Sequence, residues 1–86
     1  MREVQVGKKY RHFKGNLYEV LLIAYDSESN NDEILKKVVV YKALYDDGKV
    51  WVRDYDMFNS LVDKEKYPEV TQKYRFELVD ELWLRK

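Results

Sequence analysis

Short apolar and aromatic stretches alternate with polar turn segments along the whole chain. Turn-forming residues cluster at positions 14–16, 27–32, 46–48 and 63–68. The stretches between them are rich in Val, Tyr, Trp, Phe and Ile and span residues 8–13, 17–25, 35–45, 49–53 and 74–79. Such β-branched and aromatic side chains are typical of strands. The pattern predicts five short antiparallel strands that form an all-β barrel or a small sandwich.

Helical periodicity is weak throughout the chain. No long segment repeats apolar residues at i, i+3, i+4 and i+7, although residues 54–59 could form one helical turn. Residues 80–86 fit either a strand or a short helix. We therefore expect one domain over residues 1–86, with a core at about 6–79, a C-terminal extension at 80–86 and at most one or two short helical turns.

The second hairpin is predicted from its turn. Residues 47–48 are Asp-Gly, which favours a two-residue type I′ turn because both of its central residues need positive φ. That turn makes Tyr45 and Val50 cross-strand neighbours. The apolar side chains then share one face, the predicted core face: Val39, Tyr41, Ala43, Tyr45, Val50 and Val52. Trp51 and Arg53 are expected on the outer face.

The first hairpin is predicted in the same way. A two-residue turn at residues 15–16 places His12 directly opposite Glu19. A neighbouring carboxylate favours the charged imidazolium, so the pKa of His12 is expected to rise. Strand alternation also brings Tyr10, His12 and Lys14 to one face.

Composition narrows the function classes. The 86 residues include 16 basic and 16 acidic side chains, so the formal net charge is zero and tight, general binding to polyanions is not expected. Cys is absent, which excludes disulfides and cysteine-based sites. The apolar runs are too short to cross a bilayer, and the N-terminal segment lacks an apolar signal core. We therefore expect no membrane partner and a cytoplasmic location.

Motifs for catalysis, cofactors and metals are missing from the sequence. The chain has one His, and the acidic loop formed by Asp26, Glu28, Asp32 and Glu33 lacks the spacing and the glycine of an EF-hand. Neither a glycine-rich phosphate loop nor a nucleophile elbow occurs. We therefore expect no metal and no cofactor, and we assign no catalytic residue.

The aromatic side chains are more informative. Eight Tyr and two Trp make a high content for a chain of this length. Tyr and Trp suit binding surfaces because each offers a large rigid area with a polar group at its edge. The expected core members are Tyr18, Tyr41, Tyr45, Phe58 and Phe76. The expected surface members are Tyr10, Trp51 and Tyr55.

Several segments together resemble one family. They are residues 6–15, which contain Tyr10-x-His12-Phe13-Lys14-Gly15, residues 17–20, 39–41 and 44–45, the motif Trp51-Val52-Arg53, and residues 57–58 and 75–76. The combination resembles the bacterial family labelled domain of unknown function 1653 (DUF1653). This resemblance implies a small five-stranded antiparallel SH3-type β-barrel. It implies no established activity, substrate or cofactor.

A non-catalytic binding module is the leading functional hypothesis. Barrels of this type often hold extended peptides or bases in an aromatic-lined groove. The candidate binding residues are Tyr10, His12, Lys14, Trp51 and Arg53. Trp51 would supply a stacking face, Arg53 and Lys14 would hold an anionic or carbonyl group, and His12 would donate a hydrogen bond. Zero net charge favours a peptide over short single-stranded nucleic acid, whose binding would be weak.

Three alternatives stay open at this point. An enzyme or enzyme subunit could use His12 as general acid–base, which requires His12 at the floor of a concave pocket. A homodimer, rather than a monomer, could use the aromatic patch as its interface. In a purely structural role, Trp51 would cover a barrel end while Arg53 pairs with Asp54 or Asp56.

Overall fold

The computed structural model describes residues 2–28 and 35–79. Its elements, in chain order, are β1 (Lys9–His12), β2 (Leu17–Tyr25), β3 (Lys37–Ala43), β4 (Val50–Asp54), α1 (Tyr55–Phe58) and β5 (Phe76–Leu78). The strands form one antiparallel sheet in the order β4-β3-β2-β1-β5. No helix in this part of the chain is long and apolar enough to cross a membrane. The predicted C-terminal extension lies outside the described residues.

The prediction of an all-β chain with five antiparallel strands and one helical turn is confirmed, but the sheet is open. Closing a barrel requires its two edge strands to hydrogen-bond to each other. Here β4 pairs only with β3 and β5 pairs only with β1 among the described residues. β4 continues directly into α1, and β5 has three residues, so neither extends along the other. The expected closed SH3-type barrel is therefore corrected to a curled five-stranded sheet.

A β-bulge in β2 curls the sheet. The register between β2 and β3 shifts between Val20 and Leu22, so Leu21 is the extra residue. A bulge increases the local twist and bends the strand that contains it. Val20 on one side of the bulge and Ile23 on the other consequently face the same core.

Aromatic rings fill the concave side of the sheet, which we call the inner face. Phe58 of α1 and Phe76 of β5 stack with their ring centroids 4.0 Å apart, and Tyr10 meets Phe58 edge-on at 5.4 Å. The seven buried residues of this core cluster are Val4, Tyr10, Val20, Val39, Tyr41, Phe58 and Phe76. Burial of Tyr41, Phe58 and Phe76 confirms those core predictions, whereas Tyr18 and Tyr45 are half-buried.

The register of the second hairpin differs from the predicted one by three residues. Tyr41 pairs with Trp51, and Lys42 pairs with Val50. The connecting loop has six residues, 44–49, because the Ala43 N–H donates to the Lys49 carbonyl at 2.9 Å. The expected pairing of Tyr45 with Val50 is therefore wrong.

An odd shift in register turns every side chain of a strand to the other face. Val50 and Val52 consequently lie on the outer face, where Val52 is 63% exposed. The prediction that Val52 is buried is wrong, while Tyr41 and Ala43 are buried as predicted. Trp51, which was expected on the outer face together with Arg53, lies opposite Tyr41 on the inner face.

The first hairpin shows the same three-residue shift. Tyr10 pairs with Tyr18, and Lys9 pairs with Glu19. His12 lies opposite Phe76 of β5, so the predicted contact between His12 and Glu19 is wrong. The four-residue loop 13–16 replaces the expected two-residue turn.

Tyr10 and Tyr55 are less exposed than predicted. Tyr10 is only 2% exposed, and its hydroxyl accepts a hydrogen bond from the Gln5 N–H at 2.8 Å. Tyr55 packs against the core, and its hydroxyl accepts from the Val4 N–H at 3.0 Å. A buried tyrosine needs such a partner for its hydroxyl. The segment before β1 supplies both donors, which explains why these two rings can lie inside.

Candidate functional site

The candidate site is a row of side chains along the inner face that starts at edge strand β4. Trp51 lies opposite Tyr41, and Arg53 follows Trp51 on the same face. The Arg53 guanidinium lies over the Phe76 ring at 5.6 Å, and the His12 ring meets Phe76 edge-on at 4.9 Å. The structure therefore brings His12, Trp51 and Arg53 to one face of the sheet.

A groove beside Trp51 forms the more open end of this row. Its volume is about 310 Å³, and its lining residues are Ala43, Tyr45, Asp46, Asp47, Lys49 and Trp51. Trp51 is 46% exposed although it lies on the inner face, because β4 is the last strand of the sheet. The prediction that Trp51 is a surface residue is confirmed. The groove offers an aromatic wall beside the carboxylates of Asp46 and Asp47 and the ammonium of Lys49, which pairs with Asp47 at 2.7 Å.

Two tyrosines hold the wall of this groove in place. The hydroxyl groups of Tyr18 and Tyr45 are 2.8 Å apart and share a hydrogen bond, and their rings meet edge-on. Burial, together with this hydrogen bond, raises the pKa of Tyr18 to about 12. Tyr18 therefore stays neutral at ordinary pH and serves as a polar contact rather than as a charge.

Arg53 is positioned by aromatic contacts rather than by an ion pair. Its Nε donates to the Tyr41 hydroxyl at 3.2 Å. In the described part of the chain, no carboxylate lies within ion-pair distance of its guanidinium. Asp54 instead lies 3.6 Å from Lys36 and accepts the Met57 N–H at the start of α1. The structural alternative in which Arg53 pairs with Asp54 is therefore not what the structure shows.

His12 is held as a neutral imidazole. Its ring stacks on Phe13 at 4.5 Å, and its Nδ1 accepts the Lys14 N–H at 3.1 Å. Burial is the main cause that lowers the pKa of His12 to about 4, and the charges of Arg53, Arg75 and Lys14 lower it further. The expectation of a raised pKa is therefore wrong, because the ring is partly buried and its charged neighbours are cations rather than Glu19. With Nδ1 accepting, the proton lies on Nε2.

The other two predicted binding residues lie elsewhere. Tyr10 is in the core and has no free edge toward the groove. Lys14 is exposed in the β1–β2 loop, with its Nζ about 6 Å from the Phe13 and Tyr67 rings. Tyr45 lines the groove although it was assigned to the core, and Tyr18, which packs against the core, is hydrogen-bonded to it. The position of Tyr45 just before the turn at residues 46–48 was the available signal.

Metal binding finds no support in the described residues. No group of three or more His, Asp and Glu side chains there could hold an ion. Asp32 and Glu33 of the acidic loop lie outside the described residues.

Residues 8–78 match the family model described as "Protein of unknown function (DUF1653)". The chain belongs to the DUF1653 family. No curated protein and no solved structure is significantly similar to it. The matched DUF1653 region contains all five strands and the site residues His12, Trp51 and Arg53. The family carries no assigned activity, so the function of this DUF1653 chain has to be argued from its site.

The lowered pKa of His12 makes the stability of this DUF1653 chain depend on pH. Between about pH 4 and pH 6.5 the unfolded chain binds more protons than the folded one, so stability falls as pH decreases. We expect the wild type to lose about 1 kcal/mol more than His12→Gln over this range, after allowance for solvent screening of the partly exposed ring. Urea unfolding near both ends of the range measures the difference.

The same prediction has a direct spectroscopic check. The chain contains a single His, so its imidazole signals are unambiguous in an NMR titration. A His12 pKa at or above 6.5 in the folded chain would contradict the described surroundings of the ring.

Proposed function

We propose that this chain is a non-catalytic binding module that holds an extended peptide against the groove at Trp51. The observation that carries the proposal is the half-exposed Trp51 on the inner face of an edge strand, beside a groove of about 310 Å³. Aromatic-lined grooves bind extended peptides because a rigid ring offers a large contact area at little entropic cost. Arg53 adds a cation on the same face.

Charge favours a peptide over nucleic acid. Two carboxylates, Asp46 and Asp47, and one ammonium, Lys49, line the groove, so the charge of its lining is negative and disfavours phosphates. Affinity for nucleic acid depends on the release of counterions through several phosphate contacts, and the chain has zero net charge. Short single-stranded nucleic acid is therefore the weaker candidate ligand.

Catalysis by His12 as general acid–base has less support than binding. A general base needs an unprotonated nitrogen that faces the substrate. In His12 the unprotonated Nδ1 already accepts the Lys14 N–H, and the other nitrogen carries the proton. A neutral imidazole in this tautomer can donate a hydrogen bond, which fits a role in ligand binding.

The proposal predicts a loss of affinity in Trp51→Ala. Dye-labelled peptides selected from a random seven-residue library would be titrated by fluorescence anisotropy. We expect Trp51→Ala to weaken binding by about thirtyfold, as is typical of a central tryptophan. Tyr25→Ala is the matched control, since Tyr25 is an exposed aromatic of β2 outside the groove. It should bind as the wild type does.

Two outcomes would contradict the proposal. One is equal peptide affinity in Trp51→Ala and the wild type. The other is binding of labelled oligonucleotides, but not peptides, with a steep dependence on salt, which would indicate contacts to phosphates.

A further inference from the structure

The outward edge of β4 carries unpaired backbone groups. Ala43 and Lys49 form a hydrogen-bonded pair between β3 and β4. Such pairs alternate along an antiparallel ladder, so Trp51 and Arg53 also direct their N–H and C=O groups toward β3. Val50 and Val52 direct both groups away from it, and so does the N–H of Asp54, whose carbonyl belongs to the N-cap of α1. In the described part of the chain no strand lies on that side, and such an edge is a template for an added strand.

The side chains of β4 determine what an added strand would meet. Trp51 and Arg53 lie on the inner face and would form non-hydrogen-bonded pairs with the new strand, in which opposed side chains come closest. The groove lies at the Trp51 end, and the guanidinium lies two residues further along β4. The two positions offer an apolar contact and a cation without a described carboxylate partner.

We propose that the peptide adds to β4 as an antiparallel strand, with a carboxylate side chain opposite Arg53 and an apolar side chain opposite Trp51. This inference rests on the proposed function and specifies its ligand. In an antiparallel pair the chain directions are opposed, so the apolar residue follows the acidic residue by two positions. The recognised pattern is therefore an acidic residue, any residue and an apolar residue.

The charges near the two ends of β4 favour one direction of the bound peptide. Arg53 lies near the C-terminal end of β4, whereas Asp46 and Asp47 lie beyond its N-terminal end, where Lys49 pairs with Asp47 at 2.7 Å and leaves Asp46 as the excess negative charge. A peptide with the two side chains exchanged would bring its carboxylate to the acidic end. The antiparallel direction also agrees with every other pair in the sheet and gives the slightly more stable ladder.

A second copy of the chain fits this edge less well than an acidic peptide does. Self-pairing of β4 would bring only Lys49, Trp51 and Arg53 of the other copy to the inner face, because these are its side chains there. None of them is a carboxylate, so Arg53 would gain no ion pair.

Val52→Pro tests the added strand directly. The Val52 N–H points away from β3, so proline removes an outward donor without removing a hydrogen bond of the existing sheet. The probe is an acetylated and amidated peptide of threonines with one glutamate and, two positions later, one phenylalanine. We expect Val52→Pro to bind this probe at least about tenfold more weakly than the wild type. Val52→Ala is the matched control because it keeps the backbone N–H, and its side chain lies on the outer face.

Two further measurements keep the test independent of the folding of Val52→Pro. In the wild type, hydrogen exchange at the amides of Val50, Val52 and Asp54 should slow when the probe binds. A second peptide with glutamate and phenylalanine exchanged should bind the wild type about tenfold more weakly. Arg53→Gln should remove that preference, while Lys42→Gln on the outer face, which removes the same charge, should keep it.

The outcomes separate this inference from the proposed function. Tight binding to Val52→Pro with loss of binding in Trp51→Ala would retain the groove and overturn the added strand. Equal affinity for the two peptides would overturn the acidic–apolar order. A wild-type dimer in sedimentation that Val52→Pro converts to a monomer would assign the edge to a second copy. If neither these probes nor any library peptide binds the wild type, the proposed function fails as well.

Discussion

Val20→Asp is expected to lower the free energy of unfolding by more than about 4 kcal/mol, which is at the upper end for point mutants. Val20 is fully buried in β2 opposite Tyr41, within a core of aromatic rings. A carboxylate there would lose its hydration without gaining a partner. A small domain has only about 5–15 kcal/mol of stability in total, so the folded fraction should fall visibly. Urea unfolding at neutral pH measures the change.

Val52→Asp is the matched control for this prediction. It makes the same substitution in a neighbouring part of the sheet, but Val52 lies on the outer face and is 63% exposed. We expect its free energy of unfolding to change by no more than about 1 kcal/mol. If both variants lose several kcal/mol, the register between β3 and β4 is not the one described.

Phe76→Ala should cost about 3–5 kcal/mol, the range for removing a buried phenylalanine. Phe76 is 1% exposed and stacks on Phe58. It is the buried residue of the three-residue strand β5. Its removal leaves a cavity beside Phe58. Because His12 and Arg53 both contact the Phe76 ring, peptide affinity should fall together with stability.

A double-mutant cycle with Phe58→Ala resolves the stacked pair. If the two rings stabilise each other, the double variant should lose less stability than the sum of the single variants, because their contact is removed only once. Leu61→Ala, at an exposed apolar position, is the control and should change stability little. Additive effects of Phe58→Ala and Phe76→Ala would contradict their direct contact.

The number of strands and their approximate places follow from local chemistry. The β-branched and aromatic stretches at residues 17–25 and 49–53 became β2 and β4 with small changes at their ends. Strand preference acts over a few neighbouring residues, so a sequence pattern can detect it. The helical turn at α1 was detectable as well, since Asp54 is a good N-cap and accepts the Met57 N–H.

The register of both hairpins could not be predicted in this way. A two-residue Asp-Gly turn is the most favourable local choice at residues 47–48. In the structure the Leu44 N–H instead donates to the Leu17 carbonyl of β2 at 3.0 Å. This contact between distant residues ends the β3–β4 ladder early and leaves a six-residue loop. Positive φ at Asp46 and Gly48 completes that loop.

The candidate site shows the consequence of that shift. Trp51, Arg53 and His12 were selected from the sequence because a core does not require them. The sequence interpretation placed Trp51 on the wrong face and gave His12 an acidic neighbour. The structure instead partly buries His12 and surrounds it with the cations Arg53, Arg75 and Lys14, so its pKa falls rather than rises. Electrostatic surroundings depend on strands that are distant in sequence, so alternation along one strand cannot predict them.

The amino-acid sequence is enough to predict a small all-β fold, its strands in these places and Trp51 at its surface. These properties depend on local strand preference and on the charge and size of single side chains. The open sheet, the edge position of β4 and the shared inner face of Trp51, Arg53 and His12 are visible only in the folded chain. Those properties depend on register, and register is determined by hydrogen bonds and packing between distant residues such as Leu44 and Leu17.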